Sequence, residues 1–454
     1  MKPSIPQGTR DFPAAVLRKR NHILDTIRSV FILYGFEPLE TPAMENIETL
    51  MGKYGDEGDK LLFKILNNGL HLPEKKETAL KDFQQVLGGK NTKGITERAL
   101  RYDLTIPFAR FVAMNHQQLT LPYKRFQMQP VWRADRPQRG RYREFWQCDA
   151  DVAGSLSLLH ESELVNVYKD VFRLLRIPVA IHINNRKILS ALATLCGGED
   201  LMAHITVAID KLDKIGPEKV KDELIGKGLS MEQVERVEHY MSIQGDTLQR
   251  LQQLDELFAE VPIGKEGIGE LRQVLELSQS NDQAECIVDP TLARGLNYYT
   301  GSIFEIKAKG IEMGSIGGGG RYDDLTGLFG VKGIPGVGIS FGVDRIYDVM
   351  EELTLFPDHI HSGTKALIFR TSEYELRYQM DLAAVLRKNG IACELFHELV
   401  KFDKQFKYAE RKGIPYVIIA GSEEMKKTTY LVKNLASGEQ REYALEQLIS
   451  MLIA

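Results

Sequence analysis

The chain has 454 residues, with 58 basic and 62 acidic side chains and a formal net charge of -4. This length allows two or three domains, and the balanced charge excludes a global basic field, so nucleic acid could bind only through local patches. No apolar run approaches the roughly 18 residues of a membrane helix, and the first 20 residues are polar and charged. We therefore expect a cytoplasmic protein without a membrane segment. Its cysteines lie far apart, which predicts reduced thiols and argues against a zinc site or a disulfide framework: Cys148, Cys196, Cys286 and Cys393.

The N-terminal part predicts a helix, a short strand and an insertion. Apolar residues at helical spacing favour a helix over 14–34. The strand that follows, 36–42, ends in proline, which is typical of an edge or an interface. A second strand is expected over 60–66. Residues 67–96 read as a mobile surface insertion with a short helix over 79–86.

Two polar residues, Asp103 and Thr105, occupy alternate positions in the segment 98–110. If this segment is a strand, they share one face. An alternative is that Thr105 caps a helix that has Pro107 near its start. The local pattern leaves both interpretations open.

An arginine-rich stretch between two apolar runs predicts a hairpin, with strands over 123–132 and 145–154. Arginine offers a planar fork of donors that matches phosphate and carboxylate. Polar acceptors follow on the second strand, so donors and acceptors share one region. A solvated basic loop is the alternative. The arginines are Arg133, Arg136, Arg139, Arg141 and Arg143, and the polar residues after them are Glu144, Gln147, Asp149 and Asp151.

Residues 187–275 are rich in Lys, Glu, Gln and Leu at helical spacing and predict a helical insertion domain. A helix over 156–175 and a strand over 179–184 precede it. The leucine stripes of the insertion are expected to be core.

The next region returns to strands and glycine. Strands are predicted over 284–290 and 302–308, with the segment L-A-R-G-L-N-Y-Y-T-G (292–301) between them. Four glycines open the segment 317–323, which we interpret as a turn that lets a ligand approach the backbone, a flexible linker being the alternative. A small-residue strand leads into a helix over 336–345. Neither a G-x-G-x-x-G nor a P-loop pattern is present, so arginines would hold any nucleotide.

The C-terminal part, after a linker over 357–363, alternates strands and helices in the order βαβαββα. This pattern predicts a separate α/β domain of ordinary size.

Taken together, the arginine hairpin, the 292–301 segment, the glycine segment and the 336–345 helix start closely resemble the histidyl-tRNA synthetase family of class II aminoacyl-tRNA synthetases. The resemblance implies an α+β fold with an antiparallel six- or seven-stranded catalytic sheet in an obligate homodimer. Pro42 matches the family's first motif at the dimer interface. The implied domains are the catalytic core (1–186 and 276–355), the helical insertion (187–275) and an anticodon-binding α/β domain (362–454).

The same resemblance implies an enzyme that activates L-histidine with ATP and transfers it to the 3′ end of tRNA(His), with Mg²⁺ accompanying ATP. The implied catalytic residues are Arg294 and Arg133. Arg133 would hold the α-phosphate and Arg345 the γ-phosphate, with Arg141 as a further ATP contact. Arg136 and Gln138 would meet the tRNA acceptor stem. The implied histidine-binding residues are Asp103, Thr105, Gln147, Asp151, Arg294, Tyr298, Tyr299 and Tyr322.

The chain departs from the family pattern at two positions. Asn297 stands where the family often has Asp, so a charged role there is open. Asp151 stands where many members have Glu to read the imidazole, and Asp149 is a rival for that role. Two other functions fit less well: a regulatory paralogue in histidine biosynthesis would lack the C-terminal domain and some arginines, and a non-enzymatic RNA-binding protein would not need the arginine set.

Overall fold

The computed structural model describes residues 2–51, 55–89, 92–278, 284–293, 298–357, 360 and 363–453. The chain divides into two compact units. One comprises Met1–Asp11 and His22–Leu355, and the other comprises Phe12–Asn21 and Phe356–Ala454.

The N-terminal region supplies the arginine hairpin and the helices that cover it. The ring of Phe31, in the first helix, lies 5.5 Å from Phe126 and 5.8 Å from Phe341, so this helix packs on the sheet through aromatic contacts. The elements are α1 (Ala14–Leu33), β1 (Glu37–Pro38), β2 (Met44–Asn46), α2 (Ile47–Leu50), α3 (Gly55–Lys60), β3 (Lys64–Ile65), α4 (Pro73–Leu87), β4 (Arg98–Leu100), α5 (Thr105–Asn115), β5 (Tyr123–Trp132), β6 (Glu144–Ala153), α6 (Leu159–Leu174) and β7 (Val179–Asn185).

Between Arg186 and Leu277 the chain forms helices, and it then returns to the sheet. Ser230 with Gln233, and Asp246 with Gln249, form capping boxes that start two of its helices. The elements are α7 (Arg186–Leu195), α8 (Met202–Ile209), α9 (Leu212–Ile215), α10 (Pro217–Gly226), α11 (Met231–Met241), α12 (Thr247–Leu257), α13 (Pro262–Leu277), β8 (Ala284–Val288), β9 (Ser302–Ala308), β10 (Gly317–Tyr322), β11 (Gly336–Gly342) and α14 (Val343–Glu352).

The main sheet has eight strands in the order β1-β5-β6-β11-β10-β9-β7-β8. The strands from β5 to β7 pair antiparallel, as the resemblance implies, whereas the two edge pairs, β1 with β5 and β7 with β8, are parallel. The sheet is therefore wider than the expected six or seven strands. It is mixed because its edge strands are joined by long crossovers.

The glycine segment was wrongly predicted as a turn, because Gly317–Tyr322 is the strand β10 inside the main sheet. A Cβ on Gly319 would overlap the carbonyl of Gly338, and one on Gly320 would come within 2.9 Å of the Tyr299 ring. Glycine is needed here for close approach between neighbours within a strand, and not for chain reversal.

A small sheet, in the order β2-β4-β3, precedes the hairpin. The strand predicted over 60–66 exists but is shorter: α3 ends at Lys60, and only Lys64 and Ile65 pair with β4. The shared strand face for Asp103 and Thr105 was wrong, because β4 ends at Leu100 and Thr105 begins α5.

The helix predicted over 79–86 is longer in the structure, where α4 runs over Pro73–Leu87. None of the residues of α4 is buried. Pro73 at the first helical position and Glu74 in the first turn are start signals that the 79–86 prediction overlooked.

The C-terminal unit consists of β12 (Ala366–Ile368), α15 (Leu376–Lys388), β13 (Cys393–Leu395), α16 (Phe402–Lys412), β14 (Tyr416–Ile419), α17 (Ser422–Lys427), β15 (Tyr430–Asn434), β16 (Gln440–Tyr443) and α18 (Leu445–Ile453). Its five strands form one sheet in the order β13-β12-β14-β15-β16. Gln405 is buried and hydrogen-bonds the backbone of Arg370 and Val400, which fixes α16 against the sheet. The predicted order omitted α17 and β16.

In the described part of the chain, no single helix is both long and apolar enough to cross a membrane. One pair, Arg186–Leu195 with Glu199–Ile209, reaches that length and composition jointly, across a bend of 114°.

Candidate active site

The arginine hairpin borders a cavity of about 520 Å³, whose other lining residues are Leu61, Tyr102 and residues of the segment before β10, of β10, of β11 and of α14. Arg133, Arg141 and Arg345 all line it, together with Gln147. Three guanidinium groups on one cavity suit a ligand with several anionic oxygens.

Arg133 is held in place before any ligand arrives. Its Nε donates to the Tyr102 carbonyl at 3.1 Å and its Nη2 donates to Gln147 Oε1 at 3.2 Å. The guanidinium also lies 4.3 Å from the Tyr102 ring centroid and 5.1 Å from that of Phe145. Because cation–π contacts and hydrogen bonds fix the same group, its remaining donors have one orientation.

Arg345 lies in the first turn of α14, and its side chain connects the hairpin loop to the segment before β10. Its Nε donates to the Gly140 carbonyl at 2.8 Å and its Nη1 to the Ser315 carbonyl at 2.5 Å. Burial, and then the positive charges of Arg141 and Arg133, lower the pKa of Arg345. An anion in the cavity would relieve this repulsion.

A second, smaller cavity adjoins the first, and Gly318 and Ser340 line both. Gln147 Nε2 donates to Ser340 Oγ at 2.8 Å, which joins the two sites through side chains. The smaller cavity is also lined by Thr105, Asp149, Asp151, Tyr299 and Tyr322.

Asp149 is 2% exposed, and its Oδ1 has no hydrogen-bond partner among the described residues. Burial raises the pKa of Asp149 to about 7; Arg125 and a hydrogen bond with Ser340 oppose this effect, and Asp151 adds to it. A buried acceptor oxygen without a partner beside a cavity is expected to receive a donor from a ligand.

Asp151 differs from Asp149 because its carboxylate is already engaged. It forms a buried ion pair with Arg125 at 2.8 Å and accepts a hydrogen bond from Tyr322 Oη at 2.6 Å. Burial raises the pKa of Asp151, whereas Arg125 and Tyr322 act in the opposite direction.

Two tyrosines, Tyr299 and Tyr322, line the smaller cavity, and the ring of Tyr298 packs against both. The ring centroids of Tyr298 and Tyr299 are 5.0 Å apart, and those of Tyr298 and Tyr322 are 6.0 Å apart, both in edge-on geometry. Burial raises the pKa of Tyr299, and the carboxylates of Asp151 and Asp149 add to the effect. The Tyr299 hydroxyl is thus protonated and able to donate.

The helix-cap interpretation of the 98–110 segment was nearer to the structure, but the capping residue is Asp103. Asp103 Oδ1 accepts from the Ile106 backbone N–H at 3.1 Å, which fixes the start of α5. Thr105, in the first turn, lines the smaller cavity.

Comparison with known proteins agrees on one family. The family description "Histidyl-tRNA synthetase" matches residues 90–346, and "Anticodon binding domain" matches residues 365–454. The histidine–tRNA ligase of Christiangramia forsetii is 49% identical over 97% of this chain and 96% of its own length, and that of Bacteroides fragilis is 48% identical over 99% of each. This chain belongs to the histidyl-tRNA synthetase family.

Solved structures agree with the family assignment. The crystal structure of histidyl-tRNA synthetase from Nostoc sp. PCC 7120 superposes with a TM-score of 0.83 at 30% identity, covering 100% of this chain and 99% of that one. Apo histidyl-tRNA synthetase of S. aureus, at 19% identity and a TM-score of 0.63, supports the fold alone. The predicted α+β fold class is confirmed.

Two of the residues named from the resemblance, Arg294 and Asn297, lie outside the described residues. Arg136 and Gln138 are exposed in the loop of the hairpin, where the Gln138 and Arg141 backbones exchange hydrogen bonds of 3.0 and 2.9 Å. Gly140, with a φ of +69°, completes this turn.

Sequence reasoning missed Arg125 and Ser340. A signal for Arg125 was available, because Arg125, Gln127 and Gln129 recur at spacing two along the first hairpin strand. The hairpin register pairs Arg125 with Asp151. Ser340 gave no such signal, since its contact with Gln147 depends on the pairing of β11 with β6.

A substitution at Gly338 tests sterically whether the smaller cavity binds histidine. A Cβ at this position would overlap the Asp151 carboxylate, so we expect Gly338→Ala to displace Asp151 and raise the KM for histidine at least about tenfold. ATP–pyrophosphate exchange measures this value. Gly269→Ala, on α13 with nothing within 4 Å of the added Cβ, is the matched control and should behave as wild type.

Proposed function

We propose that this member of the histidyl-tRNA synthetase family ligates histidine to tRNA(His) in two steps, with ATP in the larger cavity and histidine in the smaller one. The observation that carries the proposal is the contact between the two cavities. An arginine-lined site for a polyanion and a tyrosine–carboxylate site for a small polar side chain share Gly318 and Ser340.

In the first step, a histidine carboxylate oxygen attacks the α-phosphorus of ATP, and pyrophosphate leaves with its electron pair. Both reactants are anions, so the main requirement is neutralisation of charge in a fixed geometry. Arg133 would hold the α-phosphate, Arg345 the γ-phosphate, and Arg141 a further phosphate oxygen. Arg294 would contact the histidine carboxylate and the α-phosphate. The carboxylate is already ionised, so no general base is needed.

Histidine would be recognised by two sets of residues. Asp103, Thr105 and Gln147 would receive the α-amino group near the shared wall. Tyr299 and the carboxylates at 149 and 151 would read the two imidazole nitrogens, one of which donates while the other accepts. Tyr298 and Tyr322 would enclose the ring. Such a site rejects analogues that lack the matching groups by factors of about 10⁴.

In the second step, a hydroxyl oxygen of the terminal tRNA nucleotide attacks the activated carbonyl, AMP leaves with the electron pair of the broken C–O bond, and the hydroxyl proton is released to solvent. We place the acceptor stem at the exposed Arg136 and Gln138 and the anticodon on the domain over 362–454. Its match to an anticodon binding domain over 365–454 supports that placement. The catalytic core over 1–186 and 276–355, with the helical insertion over 187–275, completes the proposed division of the chain.

Mg²⁺ is expected with ATP. Across the described ranges, no group of three or more His, Cys, Asp or Glu side chains is arranged to hold a metal ion. We therefore propose that Mg²⁺ arrives bound to the ATP phosphates.

A homodimer in the cytoplasm is also proposed. The strand that contains Pro38 and precedes Pro42 lies at one edge of the main sheet, and large apolar side chains near it are exposed, at 81% for Leu33 and 52% for Met44. A second copy covering this edge would remove that surface from water.

The function is tested by ATP–pyrophosphate exchange without tRNA, run separately with each of the twenty amino acids. Exchange with histidine alone is the expected result. A folded protein that supports no exchange with any amino acid would contradict the proposal and favour the regulatory paralogue.

The tRNA contacts make a separate prediction. Arg136→Ala and Gln138→Ala should lower histidine transfer to tRNA about tenfold, because each removes a direct contact at the loop, and should leave exchange unchanged. The two assays are run on the same preparations. An equal loss in both assays would show that the loop also serves the first step.

A further inference from the structure

The larger cavity is lined by carboxylates as well as by arginines. Asp135 and Asp344 line it together with Arg133, Arg141 and Arg345. A carboxylate on the wall repels a polyanion such as ATP, so each one weakens binding unless a nearby cation compensates it. Asp135 has such a cation within the cavity, since its Oδ1 lies 3.8 Å from Arg141 Nη1. Asp344 is compensated from outside the cavity.

Arg10, in the N-terminal segment, provides the compensating charge for Asp344. Its guanidinium pairs with Asp344 Oδ1, and only 4% of the Asp344 side chain is exposed. Asp344 Oδ2 accepts from the Trp146 backbone N–H at 3.2 Å, so both carboxylate oxygens are engaged. Buried charges are screened less by water and salt than surface charges. Loss of Arg10 would therefore leave a negative charge that acts on the cavity.

The arginine hairpin holds Arg10 in this position. The Arg10 guanidinium lies 3.3 Å from the centroid of the Tyr142 ring, and Tyr142 also lines the larger cavity. The Gly8 carbonyl accepts from the Arg143 backbone N–H at 2.9 Å. Gly8 has a φ of +84°, and a Cβ there would come within 2.7 Å of the Arg143 side chain, so this close approach requires glycine. The segment 8–10 therefore joins the hairpin to the start of α14.

We infer that Arg10 is a positioning residue for the ATP site. It neutralises and orients Asp344, so that the positive charge of the cavity arginines is presented to the phosphates. Arg10 does not itself line the cavity, and it therefore acts on ATP through Asp344. This inference rests on the proposed function of the larger cavity.

Arg10→Met in the full chain tests the inference, because it removes the charge and keeps much of the side-chain volume. We expect the KM for ATP in tRNA-independent exchange to rise about tenfold, the size expected for one uncompensated like charge near a partly exposed anion. The KM for histidine should stay within about twofold of wild type, since neither Arg10 nor Asp344 lines the smaller cavity.

A second substitution distinguishes a charge effect from a packing effect. Asp344→Asn removes the negative charge but keeps an oxygen that can accept from the Trp146 N–H. When it is added to Arg10→Met, the KM for ATP should return to within about threefold of wild type, because the two changes are coupled through one ion pair. If Arg10 acted only by packing the N-terminal segment, the double variant would be no better than Arg10→Met alone.

Arg28→Met is the matched control. Arg28 also pairs with a carboxylate, that of Asp25, but the two side chains are 46% and 66% exposed on the surface of α1. An exposed pair of this kind contributes little, and its loss should leave both KM values equal to those of wild type.

The outcomes separate the two claims. If wild type shows no histidine-dependent exchange, the proposed function fails. If wild type is active and folded Arg10→Met has an unchanged KM for ATP, this inference fails alone. It also fails if the addition of Asp344→Asn restores none of the loss. Should Arg10→Met not fold, Arg10→Gln takes its place, and the same results are expected with and without Asp344→Asn.

Discussion

Arg133→Ala should reduce histidine-dependent ATP–pyrophosphate exchange by about 10³-fold, the loss typical of removing a fixed charge from a transition state. Arg133 is held by the Tyr102 carbonyl, Gln147 and two aromatic rings. Its position needs no rearrangement when ATP binds, so the loss should fall mainly on kcat. The measurement is exchange at saturating ATP and histidine.

Two further variants sharpen this experiment. Arg133→Lys keeps the charge but loses the planar fork, so it should recover only a small part of the activity. Arg139→Ala is the control, because Arg139 belongs to the same hairpin but is 63% exposed and pairs with Glu352 on the surface. Arg139→Ala should leave exchange unchanged. Activity of Arg133→Ala within tenfold of wild type would remove Arg133 from the catalytic step.

Asp149→Asn should weaken histidine use and, at the same time, stabilise the free protein above neutral pH. The variant keeps the shape of the side chain but replaces one carboxylate oxygen by an amide NH₂ group, which only donates, and removes the negative charge. We expect the KM for histidine in exchange to rise about 100-fold, the loss expected for one charged hydrogen bond.

The effect on stability follows from the raised pKa of Asp149, about 7 in the folded chain. The unfolded chain releases this proton at about pH 4, whereas the folded chain keeps it until about pH 7. Between these values, folded wild type holds more protons than unfolded wild type, so its stability falls as pH rises. Asn has no such dependence. The advantage of the variant should therefore be absent near pH 4, grow up to pH 7 and stay constant above it.

Thermal or denaturant unfolding at pH 5 and pH 8 measures this difference. Asp151→Asn is the comparison, because it breaks the buried ion pair with Arg125 and should destabilise the protein at both values, by roughly 3–5 kcal/mol. An Asp149→Asn protein that is less stable than wild type at pH 8 would contradict the prediction.

The sequence was informative wherever local chemistry and local structure agree. Arginine, proline and glycine between two apolar runs predicted the hairpin, and the structure has it with Arg133 on its cavity. It was misleading at Gly317–Gly320, where four glycines favour a turn but the close approach of Tyr299 and Gly338 requires them within a strand. The turn propensity of glycine does not predict this steric requirement, because the requirement comes from residues that are distant in sequence.

The same limit explains why the contacts in the smaller cavity were not predicted from the sequence. The Asp103 cap depends on where α5 begins, and the difference between Asp149 and Asp151 depends on Arg125 from the paired strand. Both require the register between elements far apart in the chain. Asp149 was recognised as a rival for imidazole recognition, but nothing local indicated that its partner Asp151 is already engaged.

The wall shared by the two cavities restricts how this enzyme can be redesigned. Gly318 lines both cavities, and Gly319 and Gly338 line the smaller one. A Cβ added at any of these three positions would meet neighbouring backbone or the Asp151 carboxylate. A library that aims at another amino acid should therefore leave the wall unchanged. Diversity belongs at Thr105, Asp149 and Tyr322, which also line the smaller cavity.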